Sequence, residues 1–302
     1  MFEAWIPITV AAAFMQNARS ALQKHLKGRL STLGATYVRF LYAVPFALLY
    51  VLALERWGAM ELPHFNAIFL IYCVLGGVSQ IAFTGLLMWL FSFRNFAVGT
   101  TYSKTEVVQI ALLGFLILGD TLSAWAMLAI VIAVAGVVLL SMGQTRTGLS
   151  SLLATLTERP TLIGLACGAF LGASVVFYRG ATLSLNYDGP VMAAAYTLAV
   201  SVIIQTVLMG LFLAVRERQT LIEVFINWRW SLAVGICGVL GSIGWFTAFA
   251  MQNAAYVRAL GQIELVFTFI ATVLFFRERI SRTEVLGIAL VVAGIIILVL
   301  SR

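Results

Sequence analysis

Ten apolar stretches of about 20 residues, joined by short polar segments, leave this chain few ways to fold. They run over 4–23, 33–54, 66–90, 95–117, 124–142, 161–182, 190–214, 230–251, 254–276 and 283–301. A helix rising about 1.5 Å per residue crosses a hydrocarbon core of about 30 Å in that length. The alternation of a barrel strand is absent, so helices remain as the structure that satisfies its own backbone in lipid. Composition agrees, at 62% apolar and 10% charged. Soluble domains average about 45–50% and about 25%. A soluble fold of this composition has nowhere to hide its apolar surface, and a disordered chain would not be so apolar. The fold class expected is an all-α integral membrane protein with ten transmembrane helices.

The two halves align without gaps at a shift of 158 residues. Asn95 falls on Asn253, Glu106 on Glu264, Asp120 on Glu278 and Ser123 on Ser281, and Val134-Ala135-Gly136 falls on Val292-Ala293-Gly294. Apolar matches are cheap in lipid, but paired intramembrane glutamates are not. The expected division is a five-helix repeat over 1–142, a connection over 143–160 and a second repeat over 161–302. Five is odd, so consecutive repeats enter the membrane with opposite orientation. Inverted repeats are an architecture of secondary transporters, with the substrate held near the midplane.

The chain carries 19 Lys and Arg against 12 Asp and Glu, a net charge of +7. Lys24, Lys27, Arg29, Arg94, Arg146, Arg159, Arg216, Arg218, Arg229, Arg277, Arg279 and Arg282 fall on one side of the ten-span layout. Arg56, Arg179 and Arg302 fall on the other, with the termini. The positive-inside rule then puts both termini outside. Topology accounts for the positive charge, and nucleic acid is not an expected partner. No positive charge precedes the first apolar run, so that run reads as a retained helix and not as a cleaved signal peptide. Cys73, Cys167 and Cys237 sit in apolar runs and read as packing residues. With His25 and His64 as the only histidines, neither a metal site nor a catalytic triad is expected. No cofactor is expected, and no phosphate-binding glycine loop for ATP is seen.

Polar residues inside the spans are expensive and mark function by default. Helix one carries Gln16, Asn17 and Arg19; helix two carries Arg39 and Tyr42; helix three carries Gln80. Helix four carries Tyr102, Lys104, Glu106 and Gln109, of which Tyr102, Glu106 and Gln109 share one face. Tyr178, Tyr196, Trp245, Arg258, Gln262 and Glu264 follow in the second half. The candidates for substrate binding or coupling are Glu106, Glu264, Arg19, Arg39, Tyr102, Gln109, Gln80, Tyr178, Tyr196, Trp245 and Gln262. Glu106 and Glu264, reaching a central cavity from opposite halves, would bind a substrate ammonium or carry a coupling proton. The competing reading is that each glutamate neutralises a nearby Arg or Lys. Arg19 and Arg39, with polar neighbours, are better placed than Arg258 to meet a carboxylate.

Each half closes its fourth helix on an acid, Leu118–Asp120 (LGD) and Phe276–Glu278 (FRE). A glycine-bearing helix follows, IAVAGVVLL at 132–140 and LVVAGIIIL at 290–298. In these motifs, the 5+5 repeat and its length, the chain resembles the drug/metabolite transporter superfamily, and within it the EamA-type ten-helix transporters. The resemblance implies a carrier in the cell inner membrane that exports a small organic solute, such as an amino acid or related metabolite, by alternating access. Its partners would be the lipid bilayer, the substrate and a coupling proton, in a monomer or homodimer; a uniport mode also fits. A drug or cation efflux carrier is the alternative. A membrane-embedded enzyme would need a dense polar cluster that the sequence lacks, and a channel or a non-transporting subunit is the remaining reading.

Overall fold

A computed structural model describes residues 3–26, 30–90, 102–103, 105–145, 158–274 and 281–300. The expectations placed on Asn95, Lys104 and Glu278 fall outside these residues, as does most of the connection between the repeats. Every regular element among the described residues is a helix. In chain order they are α1 (Trp5–Leu26), α2 (Thr32–Leu41), α3 (Val44–Arg56), α4 (Ala67–Leu90), α5 (Glu106–Leu118), α6 (Ala124–Thr145), α7 (Arg159–Ser184), α8 (Pro190–Arg216), α9 (Arg218–Ile226), α10 (Trp228–Met251), α11 (Ala254–Gly261), α12 (Ile263–Leu274) and α13 (Arg282–Leu300). Seven segments among the described residues are long and apolar enough to span a membrane, and α5 is a shorter apolar helix. Large side chains face outward on them, with Leu116 67% and Leu211 62% exposed, as lipid-facing positions require.

The elements depart from the ten apolar runs in three places, each for a local reason. The second run bends between α2 and α3, where Ala43 N–H bonds the Phe40 carbonyl and Pro45 occupies the first turn of α3. Proline has no N–H to continue the ladder and its ring crowds the preceding turn. The ninth run breaks at Gln262, whose N–H reaches back only three residues to Ala259. Start of α5 shows the same short turn, Thr105 N–H bonding the Tyr102 carbonyl, at nearly the equivalent register of the first half. Finally, the polar segment after the seventh run forms the short helix α9, with Thr220 and Val224 buried, where a loop is expected from its charge.

The LGD motif has a backbone explanation. Gly119 takes φ +69°, and Gly119 and Asp120 N–H groups bond the carbonyls of Phe115 and Gly114. This is a left-handed cap that only glycine adopts without strain, and it ends α5 before the acid.

The chain forms two compact units, each drawing on both sequence halves. The first comprises Met1–Ile81 and Phe177–Gln252. In it α1 packs along α10 through a stripe of glycines. A Cβ on Gly244 would lie 2.7 Å from the Ala12 Cβ, and one on Gly235 would lie 2.8 Å from the carbonyl carbon and oxygen of Tyr42. The stripe therefore brings α10 against α1 and against the bend between α2 and α3. Arg179 lies in α7, near its end. Its Nη1 donates to the carbonyls of Phe249 (2.5 Å) and Gln252 (2.6 Å), which closes the end of α10.

The second unit comprises Ala82–Val176 and Asn253–Arg302. Its strongest pairing is α6 with α13. A Cβ on Gly136 would lie 2.7 Å from Gly287 O and Val291 N, and one on Gly294 would lie 2.8 Å from Ala129 O and Ala133 N. Residue numbers fall on one helix as they rise on the other, so the pair is antiparallel. Shifting Ala129, Ala133 and Gly136 by 158 gives Gly287, Val291 and Gly294. The contact is thus its own mirror in repeat numbering, and the fifth helix of one half runs opposite to that of the other.

Candidate functional site

The first unit encloses a narrow polar cavity. Arg19 enters it from α1, Arg39 from α2, Gln80 from α4, Gln205 from α8, and Ser242 and Phe246 from α10. Its volume is about 30 Å³. That is room for only about two waters. Local structure delivers each arginine. Arg39 lies in the last turn of α2, just before the bend, where a helix end favours a cation. Gly238 on α10 leaves the Arg19 stem its path; a Cβ there would sit 3.4 Å from Arg19 Cδ. Arg39 lies within electrostatic reach of Arg19 and of Tyr178. The Arg39 guanidinium also lies 5.0 Å from the Phe40 ring centroid.

Gln80, Gln205 and Ser242 are the neutral polar groups of the wall, and Tyr178 packs on Phe246, which lines it. Gln205 Nε2 donates to Gln80 Oε1 at 2.5 Å. Tyr178 is 4% exposed, its ring lies 5.0 Å from that of Phe246, and its hydroxyl has no hydrogen-bond partner among the described residues. The ring fits because Gly76 has no side chain, a Cβ there falling 2.6 Å from it. Sequence reasoning named Arg19, Arg39, Gln80 and Tyr178 but missed Gln205 and Ser242. Gln205 carried a usable signal, a lone amide inside an apolar run. Ser242 carried none, because serine is common on helix-packing faces.

The glutamates are elsewhere. Arg258 Nη2 donates to Glu106 Oε1 in a buried ion pair within the second unit, and Glu264 also acts on the Arg258 charge. Glu106 stands in the first turn of α5 and Glu264 in the first turn of α12, where the helix dipole favours an anion. Arg258 stands in the last turn of α11, where it favours a cation. Arg258 thus bonds the acid of the first half and feels the charge of its counterpart in the second.

The remaining candidates are spread out. Gln109 Nε2 donates to Thr105 Oγ1 at 3.2 Å, while its buried Oε1 has no partner among the described residues. Tyr102 packs beside Met142, and its carbonyl accepts from the Thr105 hydroxyl at 2.7 Å. Gln262 is 2% exposed at the break between α11 and α12. Tyr196 packs on Phe69 with ring centroids 5.6 Å apart, and Trp245 stacks on Phe249 at 5.8 Å. Among the described residues no group of His, Cys, Asp and Glu could hold a metal ion.

Comparison with known proteins follows the repeat. The model of the EamA-like transporter family matches residues 4–142 and again 159–300. No curated protein sequence matches the chain. A solved structure titled only "Crystal structure of protein" is similar in fold, with a TM-score of 0.70 at 14% identity, over 97% of this chain and 96% of that one.

Proposed function

The chain belongs to the EamA-like transporter family, and from that premise we propose that it is a secondary transporter that exports a small organic solute, an amino acid or related metabolite, across the cell inner membrane by alternating access. The family is one of transporters, which fits a non-enzymatic role. In this reading ten spans form two inverted five-helix repeats, 1–142 and 161–302, with both termini on the outer side. The antiparallel, repeat-equivalent contact of α6 and α13 supports the inversion.

The single observation that carries the reading is the cavity bearing Arg19 and Arg39. Charged side chains in spans are costly unless a cavity or partner receives them. Two guanidiniums facing one cavity with an amide pair suit a solute carboxylate. Drug or cation efflux is the weaker reading, because Glu106 is engaged by Arg258. A proton-coupled and a uniport cycle both fit the family.

The test is flux of labelled solutes into proteoliposomes of the purified chain. Gradient-driven, saturable uptake is expected, and Arg39→Gln should abolish it while the protein stays monodisperse. Absence of flux for every amino acid, organic acid and cation tried would refute the reading.

A further inference from the structure

An apolar groove of about 540 Å³ runs between α3 and α10 of the first unit. It shares no residue with the polar cavity. The two helices meet where Gly235 abuts the Tyr42 backbone, and the groove lies beyond that contact. They leave it open because each has its main partner elsewhere, α3 on α8 and α10 on α1. Val239 is buried at its floor, and Leu49 and Leu240 are exposed along it. On α3 the lining extends from Phe46 to Trp57. That length of helix rises about 16 Å, and half of a hydrocarbon core is about 15 Å. The groove is thus as deep as one leaflet.

Its two end residues differ from the rest. Arg56 stands in the last turn of α3 and Trp57 at its C-cap. Trp57 is 88% exposed, as suits a tryptophan among lipid headgroups. Arg56 is also exposed and makes no ion pair among the described residues. Glu55 and Glu61, near it in sequence, do not line the groove. We infer that the groove binds an anionic phospholipid, with an acyl chain between α3 and α10 and the headgroup phosphate against Arg56. Basic residues at the ends of spans attract anionic headgroups, and a guanidinium fork matches phosphate oxygens in pairs.

The second unit supplies a contrast. Its groove between α5 and α6, of about 480 Å³, is also apolar, but the charged residue at its end is Asp120. No cation lines it among the described residues. Apolar depth is therefore common to both grooves, and the headgroup partner belongs to one. A second copy of the chain fits the α3–α10 groove less well. Helices that pair in lipid meet through small residues, whereas Leu49, Leu52, Ile236 and Leu240 line this surface.

Tryptophan quenching of the full chain in phosphatidylcholine vesicles tests this. The probes are phosphatidylglycerol and phosphatidylcholine brominated high on the acyl chain, titrated over the same range of mole fraction. The quenching that Trp57→Phe lacks is the signal of Trp57. Brominated phosphatidylglycerol should reach half-quenching of that signal at a mole fraction about 5-fold lower than brominated phosphatidylcholine, the worth of one basic residue beside an anionic headgroup. Arg56→Gln should remove the preference, and Arg56→Lys should keep it. Both side chains are exposed, so the variants should melt with the wild type. Equal quenching by the two lipids in the wild type would overturn the inference, as would a preference that survives Arg56→Gln. Failure of both lipids to quench Trp57 would mean that protein covers the groove, and would overturn it too. None of these outcomes depends on whether the chain transports a solute.

Discussion

Arg258, in the last turn of α11, donates to the carboxylate of Glu106, in the first turn of α5, and both side chains are buried. Each helix end favours the charge placed on it, so the pair is supported by backbone dipoles as well as by Coulomb attraction. Removing one partner strands the other charge. Glu106→Gln and Arg258→Gln should each lower stability by about 3–5 kcal/mol. The double variant should cost less than the sum, as a thermal unfolding cycle in detergent would show. Additive losses would mean that the two residues are not coupled.

The α6–α13 contact offers a test of the repeat. Gly136→Ala and Gly294→Ala both place a methyl group within 2.8 Å of backbone atoms on the facing helix. Helix backbone cannot step aside cheaply, so each should cost about 1–3 kcal/mol. The two losses should be similar because the sites are equivalent. Melting temperatures of the two variants check this, and a large loss at one glycine with none at the other would contradict the equivalence.

Two glycines on the face of α10 should behave differently. A Cβ at Gly235 meets the Tyr42 backbone at 2.8 Å, whereas one at Gly238 finds the Arg19 stem at an ordinary 3.4 Å. Gly235→Ala should therefore destabilise by about 1–3 kcal/mol. Gly238→Ala should leave the melting temperature close to that of the wild type. Equal tolerance at both sites would show that the bend at Tyr42 yields.

Arg179 closes the end of α10 through two carbonyls. Arg179→Gln should cost about 1.5–3 kcal/mol, the usual worth of hydrogen bonds to a charged group. Hydrogen exchange should rise at the last turn of α10 and spare the middle of the helix. Uniform exchange along α10 would argue against a capping role.

Much was legible in the sequence because membrane insertion is a severe filter. Apolar runs, the shift of 158 and the pattern of basic residues are all one-dimensional records of that filter. Arg19, Arg39 and Gln80 could be picked out singly because a polar group in lipid is conspicuous. Their companions were harder. Gln205 carried the same signal, a lone amide in an apolar run, but was passed over, and Ser242 resembled any small packing residue. The helix break at Gln262 was harder to read, because the adjoining Gly261 looks like one more small packing residue.

By itself the sequence determined that the chain is a helical membrane protein built from a duplicated half, since hydropathy and repetition are written along the chain. Only the tertiary structure decided which intramembrane charges meet. Glu106 and Glu264 stand out equally with Arg19 and Arg39 in a linear reading. Folding pairs Glu106 with Arg258 in one unit and brings Arg19 and Arg39 to one cavity in the other. The physical reason is that pairing is a short-range property: a charge is neutralised by what lies within a few ångströms, and helices from distant parts of the sequence supply those neighbours.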